Sequence, residues 1–276
     1  MTRGKRSSLA ALTINAKHAE KSTTAATCAA IFCNSFIMII QHRAQNFVFF
    51  SIVDSQGIVK NNVLLQQGGF GSAVKEKSMG LKEKTWIALF VLTVLLVIGA
   101  TVFSYFPGDV AVTRFVQWIT PASTGWANWI SSTAKLPWNL VLLALTLGLS
   151  WRLARWRGAL LAVASFAGMW VLGMWLGPLI GRPRPSADLV QVAEKLSGYS
   201  FPSIFGLTYA STLGFLAVLF ARKTRGALRM AAVVVCFVLL VIGWAARISL
   251  GAHWPSDVLL SYLIGLLWAD ILIRFS

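Results

Sequence analysis

Residues 230–273 read MAAVVVCFVLLVIGWAARISLGAHWPSDVLLSYLIGLLWADILI. Two apolar runs flank a short link that carries Arg247, His253 and Asp257. Each run approaches the ~20 residues that a helix needs to cross a bilayer. The stretch therefore reads as a membrane hairpin with polar groups at its tip. Pro255 suits the first turn of the second helix. Asp257 then also falls in that first turn, where it can accept a hydrogen bond from the His253 ring. Such a bond fixes the tautomer and raises the basicity of the other ring nitrogen. A ring held that way can attack phosphorus and form a phosphohistidine. Taken alone, the trio reads more simply as an interfacial histidine beside a carboxylate favoured by the helix dipole.

The rest of the chain extends the membrane reading. Of its 276 residues, 57% are hydrophobic and only 12% charged, which excludes an ordinary soluble domain. Spanning segments must satisfy their own backbone, so the class is all-α and polytopic. Six spans are expected, at 86–106, 136–151, 158–180, 201–221, 230–245 and 255–273. Between the first two, residues 107–135 hold Phe115, Trp118, Trp126 and Trp129 and suit an interfacial segment. The net charge of +16 does not point to nucleic acid. Its Lys and Arg residues sit mostly in short links, where they act as topology signals. Lys82 and Lys84, then Arg152, Arg155 and Arg157, then Arg222, Lys223, Arg225 and Arg229 alternate onto one side, expected to be cytoplasmic. Both ends of the membrane core then lie on that side. The opposite side, periplasmic in a bacterial inner membrane, holds 107–135, 181–200 and the link from about Arg247 to Trp254.

Residues 1–78 differ in character from the remainder of the chain. The first 24 are basic and Ser/Thr-rich, and 25–40 form an apolar stretch of signal-like length. They read as an extension without a fold of its own, ahead of a membrane domain at 79–276. Cys28, Cys33 and Cys236 make no metal or disulfide pattern. The outward acids Asp109, Asp188, Glu194 and Asp257 are too few for a dinuclear metal site, so neither metal nor cofactor is expected. Asp270, four residues before Arg274, reads as a local helix ion pair.

Two more outer segments carry chemistry. GRPRPS at 181–186 holds Arg182 and Arg184 between prolines, which stiffen the backbone. Two guanidiniums on such a segment can clamp a phosphate or bind lipid headgroups. YSFPSIF at 199–205 places Pro202 and Ser203 at a helix start, where free N–H groups favour anions.

With the three segments assembled, the chain from about Trp86 onward resembles the type 2 phosphatidic acid phosphatase family, related to the vanadium haloperoxidases. That family has six membrane helices and the motifs K-x6-R-P, P-S-G-H and S-R-x5-H-x3-D. Arg184 and Pro185 match the first motif, Pro202 and Ser203 the second, and Arg247, His253 and Asp257 the third. The resemblance implies His253 as nucleophile and Asp257 as its orienting partner. It implies Arg184, Arg247 and Ser203 as phosphate ligands, and a phosphorylated lipid as substrate. Four positions depart from the motifs: Gly177 replaces the lysine, Ile204 and Phe205 replace Gly-His, and Ala246 replaces the serine. Arg182 is expected to supply the lysine's charge. The absent histidine is the family's general acid, a role worth about 10²–10⁴ in rate. A diphosphate needs that acid least, because its leaving group is a weakly basic phosphate monoester. The expectation is therefore a lipid phosphate or diphosphate phosphatase, such as one acting on undecaprenyl diphosphate or phosphatidic acid. The alternative is a protein that binds phosphorylated lipid without turnover, and a transporter is least supported. The chain carries no signal for an oligomeric state.

Overall fold

The computed structural model describes residues 81–274, and the extension expected over 1–78 lies outside them. Among the described residues every regular element is helical. α1 spans Leu81–Val102, and two short helices follow, α2 (Asp109–Ile119) and α3 (Gly125–Ser132). They occupy the segment expected at the interface. α4 spans Trp138–Ile180. α5 (Ile204–Tyr209) runs through a π turn at Ala210–Gly214 into α6 (Phe215–Lys223). α7 (Gly226–Ser249) and α8 (Pro255–Ile273) complete the chain.

Among the described residues, five helices are long and apolar enough to cross a membrane: α1, α4, the α5–α6 run, α7 and α8. Six were expected, and the difference lies in α4. The runs at 136–151 and 158–180 join as one 43-residue helix with non-helical backbone at Ala154 and Arg155. A straight helix would carry residues 150 and 158 about 12 Å apart. Here a Cβ on Gly158 would lie 2.5 Å from the Ser150 carbonyl oxygen. The chain therefore folds back at Ala154–Arg155, and only glycine permits that approach. Leu147 and Leu153 from one arm and Leu161 from the other pack against the same apolar cluster.

The α5–α6 run is the centre of the bundle. Phe205, Tyr209 and Ala210 pack with Leu240 of α7 and with Val258 and Tyr262 of α8. Phe215 and Leu219 pack with Ala162 of α4 and with Ala269 and Ile273 of α8. The outer helices instead expose Leu95, Trp170, Trp175 and Phe237. Water penalises such faces and lipid does not. The π turn coincides with hydroxyls that bond back into the helix, Ser211 Oγ to Thr208 O at 3.0 Å and Thr212 Oγ1 to Thr208 O at 2.7 Å.

Two polar clusters mark opposite ends of α8. At its C-terminal end Asp270 pairs with Arg274 at 2.8 Å and also with Arg222, so the expected local pair gains a partner from α6. At its N-terminal end Arg182, fully buried, lies between two carboxylates. Its Nη2 donates to Asp109 Oδ2 at 3.0 Å, and its Nη1 donates to Asp257 Oδ1 and, at 3.0 Å, to Ser256 Oγ. Its Nε donates to Phe103 O at 3.2 Å, and the guanidinium sits 4.6 Å over the Phe106 ring. Asp109 also takes Phe106 N and Ser256 N, so the cluster ties the exit of α1 and the start of α2 to the start of α8.

Removing the cation would strand two buried carboxylates, a loss of about 3–5 kcal/mol for a buried pair. Arg182→Met is expected to lower the thermal midpoint of the detergent-solubilised protein sharply. Arg182→Lys, which keeps the charge but not the fork of donors, should fall between it and wild type.

Candidate active site

The site is assembled at the N-terminal end of α8 by two links that cross there. Pro255 opens α8, and Asp257 closes a capping box: its Oδ2 accepts Trp254 N at 3.2 Å, and its own N–H donates to Trp254 O at 3.1 Å. Gly251 turns the preceding link with φ +62. A Cβ there would lie 2.1 Å from Gln191 O, so glycine is required by space as well as by conformation. The link 181–200 lies across this turn. Ala193 N and Glu194 N both donate to Leu250 O, at 3.0 and 3.1 Å. From α2, Arg114 Nε holds Leu189 O at 2.9 Å and Gln117 Nε2 holds Gln191 O at 2.7 Å.

His253 is buried between these links. Its Nδ1 lies 2.6 Å from the Ser200 carbonyl oxygen. A carbonyl can only accept, so Nδ1 carries the proton and, in the neutral ring, Nε2 carries the lone pair. Nε2 lies 3.4 Å from Arg184 Nη1. Burial, and then the Arg247 and Arg184 cations, hold the His253 pKa well below the ordinary imidazole value, against the opposing pull of the Ser200 carbonyl. The ring is neutral at neutral pH.

The expected bond between Asp257 and His253 is not formed. The Asp257 oxygens are taken by Arg182, by Ser200 Oγ and by Trp254 N. Its link to the histidine is one residue removed: Asp257 holds the Ser200 side chain, and the Ser200 carbonyl holds the ring. Arg182 does not replace the missing lysine either, because every nitrogen of its guanidinium is committed to the structural cluster. Ser203 is fully buried as the N-cap of α5, its Oγ accepting Gly206 N at 3.2 Å. The hydroxyl proton remains a potential donor.

Arg184 and Arg247 complete the site. Arg184 Nη1 donates to Ala252 O at 2.7 Å and its Nη2 to Ser197 O at 3.3 Å. Arg247 lies in the last turn of α7 and not in the link, because α7 runs on to Ser249. Its Nη1 donates to Ser131 Oγ and, at 2.7 Å, to Glu194 Oε2. The Nε atoms of both arginines are buried without a partner. Phe205 supports Arg247 from below, its ring 5.6 Å from the guanidinium and 4.2 Å from the Tyr209 ring. Sequence reasoning passed over Ser200, Ser131, Lys135 and Gln117, whose contacts run across 53 to 132 positions of chain or through backbone atoms. No local pattern signals such contacts.

The family model of the PAP2 superfamily matches residues 153–276. Among solved structures, a transmembrane PAP2-type phosphatidylglycerolphosphate phosphatase from Bacillus subtilis aligns with TM-score 0.57 and 20% identity. The alignment covers 69% of this chain and 94% of the other. At that identity the likeness concerns the fold alone, an all-helical bundle whose long helices are apolar enough to cross a membrane. No curated protein matches.

Because the native pKa of His253 is depressed, the unfolded chain takes up this proton first as pH falls through the ordinary value of about 6.5. The histidine's contribution to stability is therefore intact above that value and declines below it. In ¹⁵N-histidine spectra compared with those of a His253→Asn variant, the His253 signal should remain a neutral Nδ1–H tautomer at pH 6.5.

Proposed function

We propose that the protein is a lipid phosphate phosphatase of the PAP2 type, working through phosphorylated His253. One observation carries the reading: the neutral His253 ring is pinned at Nδ1 while its Nε2 lone pair faces Arg184, beside the buried, unpartnered Nε donors of Arg184 and Arg247. A nucleophile and an anion-stabilising pair are thus adjacent. In the first step Nε2 attacks phosphorus, the bond from phosphorus to the leaving oxygen breaks, and the arginines hold the equatorial charge. In the second, water attacks the phosphohistidine, releasing inorganic phosphate and the free ring. Asp257 and Ser200 act by position, keeping the Nδ1–H tautomer.

We read the substrate as a lipid diphosphate in preference to a monophosphate. At the place of the family's acid stands Phe205, packed on Arg247 and Tyr209. No proton is available there, so the leaving group must depart without one, as a phosphate monoester can. The sidedness of the basic links, with each arm of α4 crossing the bilayer, favours a site on the outer face of a bacterial inner membrane. The Bacillus subtilis neighbour is named for phosphatidylglycerolphosphate, whose terminal phosphate is a monoester, a class the Phe205 argument disfavours for this chain. A second reading, binding of phosphorylated lipid without turnover, is favoured by that same Phe205 and by the burial of His253.

The readings separate in one assay of phosphate release from a polyprenyl diphosphate, phosphatidic acid and a chromogenic monoester. Turnover that falls at least about 10⁴-fold in His253→Ala supports the enzyme. No release from any substrate, or equal release by the variant, leaves the binding reading. Phe205→His is expected to speed monophosphate hydrolysis more than diphosphate hydrolysis, and equal acceleration would remove the leaving-group argument.

A further inference from the structure

One carboxylate enters this otherwise cationic site. Glu194 Oε2 accepts from Arg247 Nη1 at 2.7 Å, and Oε1 accepts from Lys135 Nζ at 2.9 Å. Burial opposes its ionisation, yet the Lys135 and Arg247 cations outweigh it and hold the carboxyl below its ordinary pKa. Glu194 is an anion bridging two cations. A carboxylate and a phosphate both offer paired oxygens to such donors.

We propose that Glu194 occupies the substrate's phosphate position when no substrate is bound, and that Lys135 becomes a phosphate ligand when Glu194 withdraws. This rests on the phosphate-site reading above. Lys135 then supplies the charge that Gly177 cannot. The atoms nearest a Cβ at Gly177 would be those of Tyr199, Phe201 O and Pro202, at 3.7 to 4.0 Å, and Arg182 is committed elsewhere. The pair also lies where an incoming group can reach it: the Lys135 side chain is 58% exposed and the Glu194 side chain 15%. Arg247, by contrast, is buried and keeps an unpartnered Nε. A phosphate dianion offers both cations more charge than one carboxylate, so displacement is favourable for phosphate and not for a neutral lipid.

The test titrates orthovanadate and inorganic phosphate into the detergent-solubilised full chain by calorimetry, with hydrolysis followed in parallel. If Glu194 competes with the anion, Glu194→Gln should tighten vanadate about tenfold. Glu194→Ala is measured beside it, so that the sign does not rest on one amide. Adding Lys135→Met to Glu194→Gln should reverse most of that gain. Weaker vanadate binding in the Glu194 variants would make Glu194 a positioning residue for Arg247 and overturn the proposal. Unchanged binding on removing Lys135 would overturn the role of Lys135. Failure of the wild type to bind either anion would instead remove the phosphate-site reading itself, and this inference with it.

Discussion

Arg182, closed between Asp109 and Asp257, is the contact on which the rest of this structure depends. A buried cation survives only where its donors are answered, and here each guanidinium nitrogen has an acceptor. The consequence is geometric. The end of α1, the start of α2, the link after α4 and the first turn of α8 must meet at one point. Asp257 is thereby turned toward the cluster and away from the histidine. It also holds Ser200 Oγ, and so fixes the carbonyl that reads the histidine tautomer.

The buried charges thus fall into two neighbouring groups. The Asp109–Arg182–Asp257 group is closed on itself and serves the fold. In the Arg184–Arg247 group each arginine keeps an unpartnered Nε, and Arg184 faces His253. Desolvation presses on both, and it is resolved differently. Internal carboxylates answer Arg182, whereas Arg247 has only Glu194 and a serine. Phe205 belongs to the second group as a support. It gives Arg247 an aromatic face.

Much of this was legible in the sequence because its causes are local. The apolar runs, the helix start at Pro255 and the ion pair of Asp270 with Arg274 follow from composition and from spacings of a few residues. Arg184, Arg247 and His253 were also legible as candidates from their spacing, and the structure places Arg184 beside the His253 ring. What was not legible had physical origins. The two runs of α4 are separable by hydropathy, but the turn that joins them at Arg155 is a backbone event with no apolar signature. Asp257 was paired with His253 because four residues separate them, and sequence distance carries no information about a competitor from residue 182.

By itself, the sequence determined that this chain is helical and membrane-embedded, and which side chains stand at the ends of its spans. Lipid leaves few other ways to satisfy an apolar backbone. Only the tertiary structure decided which arginine is closed between carboxylates and which keep an unpartnered Nε. It also decided that a carbonyl, and not a carboxylate, holds the His253 ring. Those outcomes depend on which donor reaches which acceptor once both are buried, and that competition runs between residues far apart in the chain.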